Sequence, residues 1–336
     1  MVSIKDVAAQ AGVAISTVSK VLNHYPNVSD ATKEKVNNAI RELNYVPNSI
    51  AAALSSKRSG RIAIMMDPAR QTKVADEIYM RYLLGSMDCA RELDLQAMTF
   101  FFSMIANMDA DDMTRYFQSL GIGGLVIFGL SREDRRIRLF LEKEELPAAL
   151  VDVPENGDLI SSVGIDQEAA QYDVARQTIE EFENDHPGQT IGSVLYVSGK
   201  GSGYVTADRT KGIRRLTEER GISLTVRYGD YSEKKAYGIT LAAGRDKDAI
   251  ICASDLMAAG ASRALKELGQ DKPVCGFDGL TLLGYLDRPI YTVRQDFYAI
   301  ARAAVEEIRY LMDGESGKRV IVPHSLVRLS YEDVLL

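Results

Sequence analysis

The chain has no tryptophan, only three cysteines and only three histidines among its 336 residues. Cys89, Cys252 and Cys275 lie far apart and form no CxxC pair. A disulfide framework is therefore excluded, and the thiols read as reduced and buried. His24, His186 and His324 are equally scattered, so no ligand cluster for a metal is expected. Long hydrophobic runs are missing as well. The longest apolar stretches fall far short of a bilayer span, and the first residues lead straight into a helical pattern without signal-peptide character. A cytoplasmic protein is expected. No short-period repeat and no low-complexity segment occur. No stretch joins a nucleophile to its base, and Gly201–Gly203 (GSG) is too short for a phosphate loop, so neither an enzyme nor a cofactor is expected.

What is present is an ordinary globular composition, 46% hydrophobic and 26% charged, on a chain long enough for two or three domains. The net charge of −7 is unevenly spread. Residues 1–60 hold seven Lys and Arg against four Asp and Glu, a net +3, which leaves −10 for the remainder. A basic head that meets phosphates and an acidic body that does not would give this asymmetry, although +3 over sixty residues is weak by itself.

The head carries the stronger signal. Ile4, Val7 and Ala8 recur at helical spacing and end at Gly12. A second short helix is expected from near Ser16, with Val18, Val21 and Leu22 on one face. Gly12 between them supplies the positive φ that a helix–turn–helix needs. Ser29 can cap a third helix, with Val36, Ile40 and Leu43 in an amphipathic pattern. Pro47 then ends what precedes it, and Asn48 or Ser49 can cap a short helix over residues 50–54.

DVAAQAGVAISTVSKVLN, VSDATKEKV and LNYVPNSIAAAL, in this order and spacing, resemble the head and hinge of the LacI/GalR family of bacterial repressors. The resemblance extends over essentially the whole chain. It implies an all-α helix–turn–helix head at 1–46, a hinge helix at 47–59 and an α/β core at 60–336. The core would be of periplasmic-binding-protein type I, two Rossmann-like subdomains at about 60–161 with 293–322 and about 162–292 with 323–336. The residues agree: after Gly60, short apolar strands such as RIAIMM, GLVIF and AALVD alternate with helical stretches, as parallel sheets covered by helices require. Residues 291–294, 297–312 and 319–330 would cross back between the two halves. No heptad extends past residue 336, which favours a homodimer.

In such a head the second helix enters the major groove. Lys20 can donate to guanine O6 or N7, though without the fork of the arginine most of the family carries there. Ile15 can touch a thymine methyl, Ser16 can hydrogen-bond either way, and Thr17 suits a phosphate or a packing role. Asn23 and His24 follow at the helix end. The resemblance implies that the hinge sits in the minor groove. Asn48 and the small Ala51 would lie along it, and Leu54 would wedge between central base pairs of a pseudo-palindromic operator.

The resemblance also marks an effector cleft. Arg209 in DRTKGI can clamp sugar hydroxyls or a carboxylate. Tyr231 in GDYS can stack on a sugar face. Asp278 in GFDG and Asp152 in VDVPE stand at strand ends, the binding edge of open α/β sheets. Ser254 stands where relatives often have Asn, and Gln295 lies on a crossover strand. Singly, Asp152, Asp278 or Arg209 can equally be a cap or an ion pair, and Tyr231 can be loop packing. Together they suit a polyhydroxylated effector, a mono- or disaccharide or a sugar phosphate, controlling a repressor of a carbohydrate operon. Two alternatives stay open: a purine-type corepressor, and a phosphocarrier protein docked on the helix with Tyr79, Arg81 and Tyr82.

Overall fold

The computed structural model describes residues 3–22, 28–43, 45, 60–67 and 76–335, which fall into two compact units divided after Ser59. In the first unit, α1 (Ile4–Ala11), α2 (Ile15–Leu22) and α3 (Asp30–Glu42) enclose a core of Val7, Ala8, Val18, Val21, Val28, Val36 and Ala39. Ser3 and Asp6 form a capping box at the start of α1, and Gly12 ends that helix at φ 63°. The Ser29 hydroxyl accepts from the Thr32 amide and caps α3. Such a cap is worth roughly 1 kcal/mol, a large term for so small a core.

The second unit runs β1 (Arg61–Met66), α4 (Asp76–Glu92), β2 (Gln96–Phe101), α5 (Phe102–Ile105), α6 (Ala110–Ser119), β3 (Ile122–Ile127), α7 (Arg135–Leu141), β4 (Ala148–Val151) and β5 (Ile160–Gly164). It continues with α8 (Gln167–Asp185), β6 (Ser193–Ser198), α9 (Tyr204–Glu219), β7 (Ser223–Tyr228), α10 (Glu233–Ala243), β8 (Ala249–Cys252), α11 (Asp255–Glu267) and β9 (Val274–Cys275). It ends with β10 (Tyr291–Arg294), α12 (Phe297–Met312), β11 (Arg319–Ile321), β12 (Ser325–Arg328) and α13 (Tyr331–Val334). Two six-stranded sheets result, in the orders β11-β5-β4-β3-β1-β2 and β12-β10-β9-β8-β6-β7. Every described pairing is parallel except β10 with β12.

The central strands are apolar on both faces because helices cover both faces. β1 after Arg61 and β8 throughout are buried. The chain passes between the halves after Gly164, after Arg294 and between Ile321 and Ser325. α12 returns to the first half and packs on α4, where a Cβ on Gly85 would stand 2.3 Å from the Tyr298 carbonyl oxygen. That close approach fixes which side of α4 faces inward.

The charged stretch 132–145 is helical only over α7, and ahead of it Asp134 Oδ2 accepts from the Ser131 amide and hydroxyl, at 2.8 and 2.9 Å, and holds a turn. One expectation changes here. The suggested docking face on Tyr79 and Tyr82 is not a surface. The Tyr79 hydroxyl donates to Asp67 O at 3.1 Å, and the Tyr82 ring stacks on Phe128 with centroids 4.4 Å apart. Their helix turns them toward the sheet, while Met80, Leu84 and Met87 point out.

Candidate functional site

Two surfaces of the molecule collect chemistry, one on the first unit and one on the second. On the first, Val18 and Val21 turn α2 inward, which leaves Ile15, Ser16 and Lys20 exposed and Thr17 half-buried. Ile15 is 44% exposed, so its apolar side chain is open to contact. Asn23, His24, Asn48, Ala51 and Leu54 lie outside the described residues.

On the second unit, six residues singled out from the sequence gather where the two sheets present their strand ends. Asp152 follows β4 of the first half. Arg209, Tyr231, Ser254 and Asp278 belong to the second half, and Gln295 directly follows its strand β10. The Arg209 guanidinium is 4% exposed and held on three sides. Its Nε donates to Gln167 Oε1 at 2.8 Å, its Nη1 donates to Ala253 O at 2.6 Å, and its Cζ sits 3.6 Å from the centroid of the Phe277 ring. Asp278 Oδ1 lies 3.9 Å from Arg209 Nη1 and accepts from Gln295 Nε2 at 2.9 Å. Gln295 Oε1 is buried with no hydrogen-bond partner.

Gln167 was not apparent in the sequence as a site residue. It opens α8 on the second half, and its Nε2 donates to Asp152 Oδ1 at 2.9 Å. The chain Asp152–Gln167–Arg209 thus joins one half to the other. Asp255 was missed as well. Its Oδ1 accepts from Thr292 Oγ1 at 2.6 Å and its Oδ2 from the Leu280 amide at 2.7 Å, which fixes the loop that carries Asp278. Neither residue has a sequence signal beyond standing at a helix start. Tyr82, buried beside Asp152, completes the floor.

The backbone around these groups is strained. Asp152 (φ 61°), Asp230 (φ 53°), Tyr231 (φ 58°) and Asp278 (φ 128°) all take positive φ without being glycine. Such conformations cost energy and concentrate at binding sites. Gly164 makes room for Asp152, since a Cβ there would stand 2.8 Å from Asp152 Oδ1. The Tyr231 ring leans on Gly199, and its hydroxyl lies 3.1 Å from Thr206 Oγ1. The Ser254 hydroxyl accepts from the Met257 amide at 3.3 Å, so it serves as the cap of α11.

Carboxyls outnumber the positive charge at the site, and burial favours their protonated form. Burial pushes the Asp152 carboxyl up although Arg209, Gln167 and Tyr82 oppose it. Burial likewise raises Asp278 to about 8 against the pull of Arg209. Asp255 behind it rises to about 7 for the same reason. One committed guanidinium serves several carboxyls, and Gln295 adds an acceptor without a donor. The arrangement suits a ligand that donates hydrogen bonds.

Among the described residues no cluster of His, Cys, Asp and Glu could hold a metal, and no helix is long and apolar enough to cross a membrane.

The profile of bacterial regulatory proteins of the lacI family matches residues 3–48, over α1 to α3, and that of a periplasmic binding protein domain matches residues 141–316. The chain belongs to the lacI family of bacterial regulatory proteins. Like other members of the family it is a DNA-binding transcriptional regulator and not an enzyme. It is 28% identical to the HTH-type transcriptional regulator RegA of Clostridium saccharobutylicum over 97% of each chain. Among solved structures, a transcriptional regulator CelR–cellobiose complex is 26% identical, with a TM-score of 0.69 over 98% of this chain and 100% of that one. A lac repressor dimer bound to operator and the anti-inducer ONPF shares the fold at a TM-score of 0.78, with 24% identity over 98% of each chain.

Proposed function

We propose that this lacI-family regulator is a dimeric, cytoplasmic repressor of a carbohydrate operon whose effector is a neutral mono- or disaccharide bound at Asp152, Arg209, Tyr231, Ser254, Asp278 and Gln295. The observation that carries this reading is the surplus of buried acceptors around one guanidinium that is already committed. Sugar hydroxyls donate hydrogen bonds to such groups and bring no charge. A sugar phosphate would instead bring a negative charge into a buried site whose one guanidinium is already committed. A cellobiose-bound relative of similar fold supports the same class.

On the operator, α2 lies in the major groove, with Ile15, Ser16, Thr17 and Lys20 near base edges and phosphates and Asn23 and His24 at its end. The hinge, with Asn48, Ala51 and Leu54, takes the minor groove at the centre of a pseudo-palindrome. A second copy covers the outer face of α4, where Met80, Leu84 and Met87 stand exposed one turn apart. Ligand that prefers one arrangement of the core then shifts operator affinity by its differential affinity for the two.

The test is thermal unfolding of the full chain against neutral sugars, sugar phosphates and purines. A ligand at a hundred times its Kd adds about 2.7 kcal/mol to stability. A shift with a neutral sugar that is lost in Arg209→Ala supports the reading. A shift with phosphates or purines alone overturns it.

A further inference from the structure

The loop ahead of α9, too short to cradle a phosphate, takes no part in the effector contacts described above. The residue that follows it crosses between the halves. Tyr204 opens α9 in the second half, yet its ring is 5% exposed and lies in the hydrophobic cluster of the first half, with Met65, Ile137, Leu141, Leu150 and Val153. The Arg132 guanidinium carbon lies 4.5 Å from the ring centroid. Polar contacts between the halves surround it. The Arg132 amide donates to Ser202 O at 3.2 Å, Arg132 Nη1 donates to Gly203 O at 2.9 Å, and Lys200 pairs with Glu133. Across the cleft, the Thr281 hydroxyl donates to Glu77 Oε2 at 2.8 Å.

We propose that Tyr204 is the latch of the cleft, a positioning residue whose ring holds the two halves closed over the effector site. The ring leaves water only when the first half is against it, so parting the halves exposes a large apolar side chain and breaks the surrounding hydrogen bonds together. α9 carries both Tyr204 and, just over a turn later, Arg209. Seating the ring and bringing Arg209 with Gln167 up to Asp152 are therefore one rigid movement. Closure then depends on a residue outside the effector contacts, and changing it alters operator control at unchanged effector chemistry. This consequence rests on the reading of the cleft as the effector site, but the test below needs no effector.

The native chain lacks tryptophan, so Tyr204→Trp installs a single reporter. In the full-length protein without added ligand, its fluorescence should resist quenching by acrylamide several-fold better than free N-acetyltryptophanamide. Hydrogen exchange gives the second arm. The Arg132 amide is protected only while it reaches Ser202 O of the other half. In Tyr204→Ala it should exchange about tenfold faster or more, the factor that corresponds to losing a buried large side chain. In Tyr204→Phe it should stay protected. The Ile250 amide, bonded to Pro273 O within the second half, serves as the folding control and should stay slow in both. A freely quenched reporter overturns the proposal. So does equal protection of Arg132 in wild type and Tyr204→Ala. Should the alanine variant unfold, the quenching result alone decides.

Discussion

Asp278 Oδ1 and Arg209 Nη1 stand 3.9 Å apart, and both residues are almost sealed from water. The guanidinium does not offset the burial of the carboxyl, whose pKa rises to about 8, while Asp255 behind it rises to about 7. A carboxyl that binds its proton more tightly in the folded chain stabilises the fold at low pH. That contribution is complete below the unfolded value and is lost as pH rises through the folded one. Between roughly pH 4 and 8 the folded chain therefore holds more protons than the unfolded chain, and stability should fall with rising pH. Asp278→Asn removes the larger of the two effects. Its unfolding midpoint should lie above that of wild type at pH 8 and close to it at pH 5, while the stabilisation by sugar disappears. Thermal unfolding across a buffer series reads both. An asparagine variant with the wild-type pH slope would mean that the Asp278 charge is not its source.

Gln167 holds Asp152 of one half and Arg209 of the other with the two ends of one amide. Gln167→Ala leaves both charged partners buried without that bond. Hydrogen bonds to charged groups are worth about 1.5–3 kcal/mol, so effector affinity should fall roughly tenfold to a hundredfold. Calorimetric titration with whichever sugar stabilises the wild type measures it. Undiminished affinity would show that the bridge is only structural.

The head and hinge should fail in different ways. Lys20 is exposed on α2, and the proposed reading sets it at a base edge. Lys20→Ala should relax sequence preference at one operator position by about 1–3 kcal/mol. If Lys20 touches phosphate instead, the loss would be uniform across sequences and the salt dependence would weaken by about one unit. Leu54→Ala should abolish specific binding and operator bending while the core stays folded, because the wedge that opens the central step is gone. Gel-shift binding with permuted operators separates these outcomes. Tight binding to a bent operator by Leu54→Ala would remove the wedge from the account.

Met80, Leu84 and Met87 form one outer stripe on α4, and Gly85, Cys89 and Ala90 face the core. Leu84→Asp places a charge at the centre of the stripe without touching the core. Sedimentation should show the dimer dissociating at concentrations where wild type stays paired, and operator affinity should drop with it. A stable Leu84→Asp dimer would assign the interface elsewhere.

Much of this architecture could be read from residue patterns. The stretches 291–294 and 297–312, expected to cross back between the halves, form β10 and α12, with Phe297, Ile300, Ala301, Ala304, Val305 and Ile308 on a single buried face of the helix. Tyr79 and Tyr82 are ambiguous in the sequence because polar-tipped aromatics fit a surface or a core equally well until helix packing decides, and the close approach at Gly85 decides it here. Gln167 and Asp255 stayed hidden for another reason. Both stand at helix starts, where polar residues are ordinary caps, and only the meeting of distant strand ends gives them partners. Tyr204 shows the same limit, because no local pattern tells which half of the molecule will bury its ring.

Tyr231 depends on a residue with no side chain. A Cβ on Gly199 would stand 2.3 Å from the Tyr231 ring, and Tyr231 itself holds a left-handed backbone at φ 58°. The ring cannot yield easily, since its hydroxyl is 3.1 Å from Thr206 Oγ1 and that hydroxyl donates to Lys200 O at 2.7 Å. Gly199→Ala should therefore displace the ring, lower stability by roughly 1–3 kcal/mol as overpacking does, and weaken sugar binding. If the clash with the ring is the cause, Tyr231→Ala should relieve it. The double variant should then be little worse than Tyr231→Ala alone, a coupling that a double-mutant cycle on thermal stability measures directly. Additive losses would place the strain in the backbone at Gly199 and leave Tyr231 free to adjust.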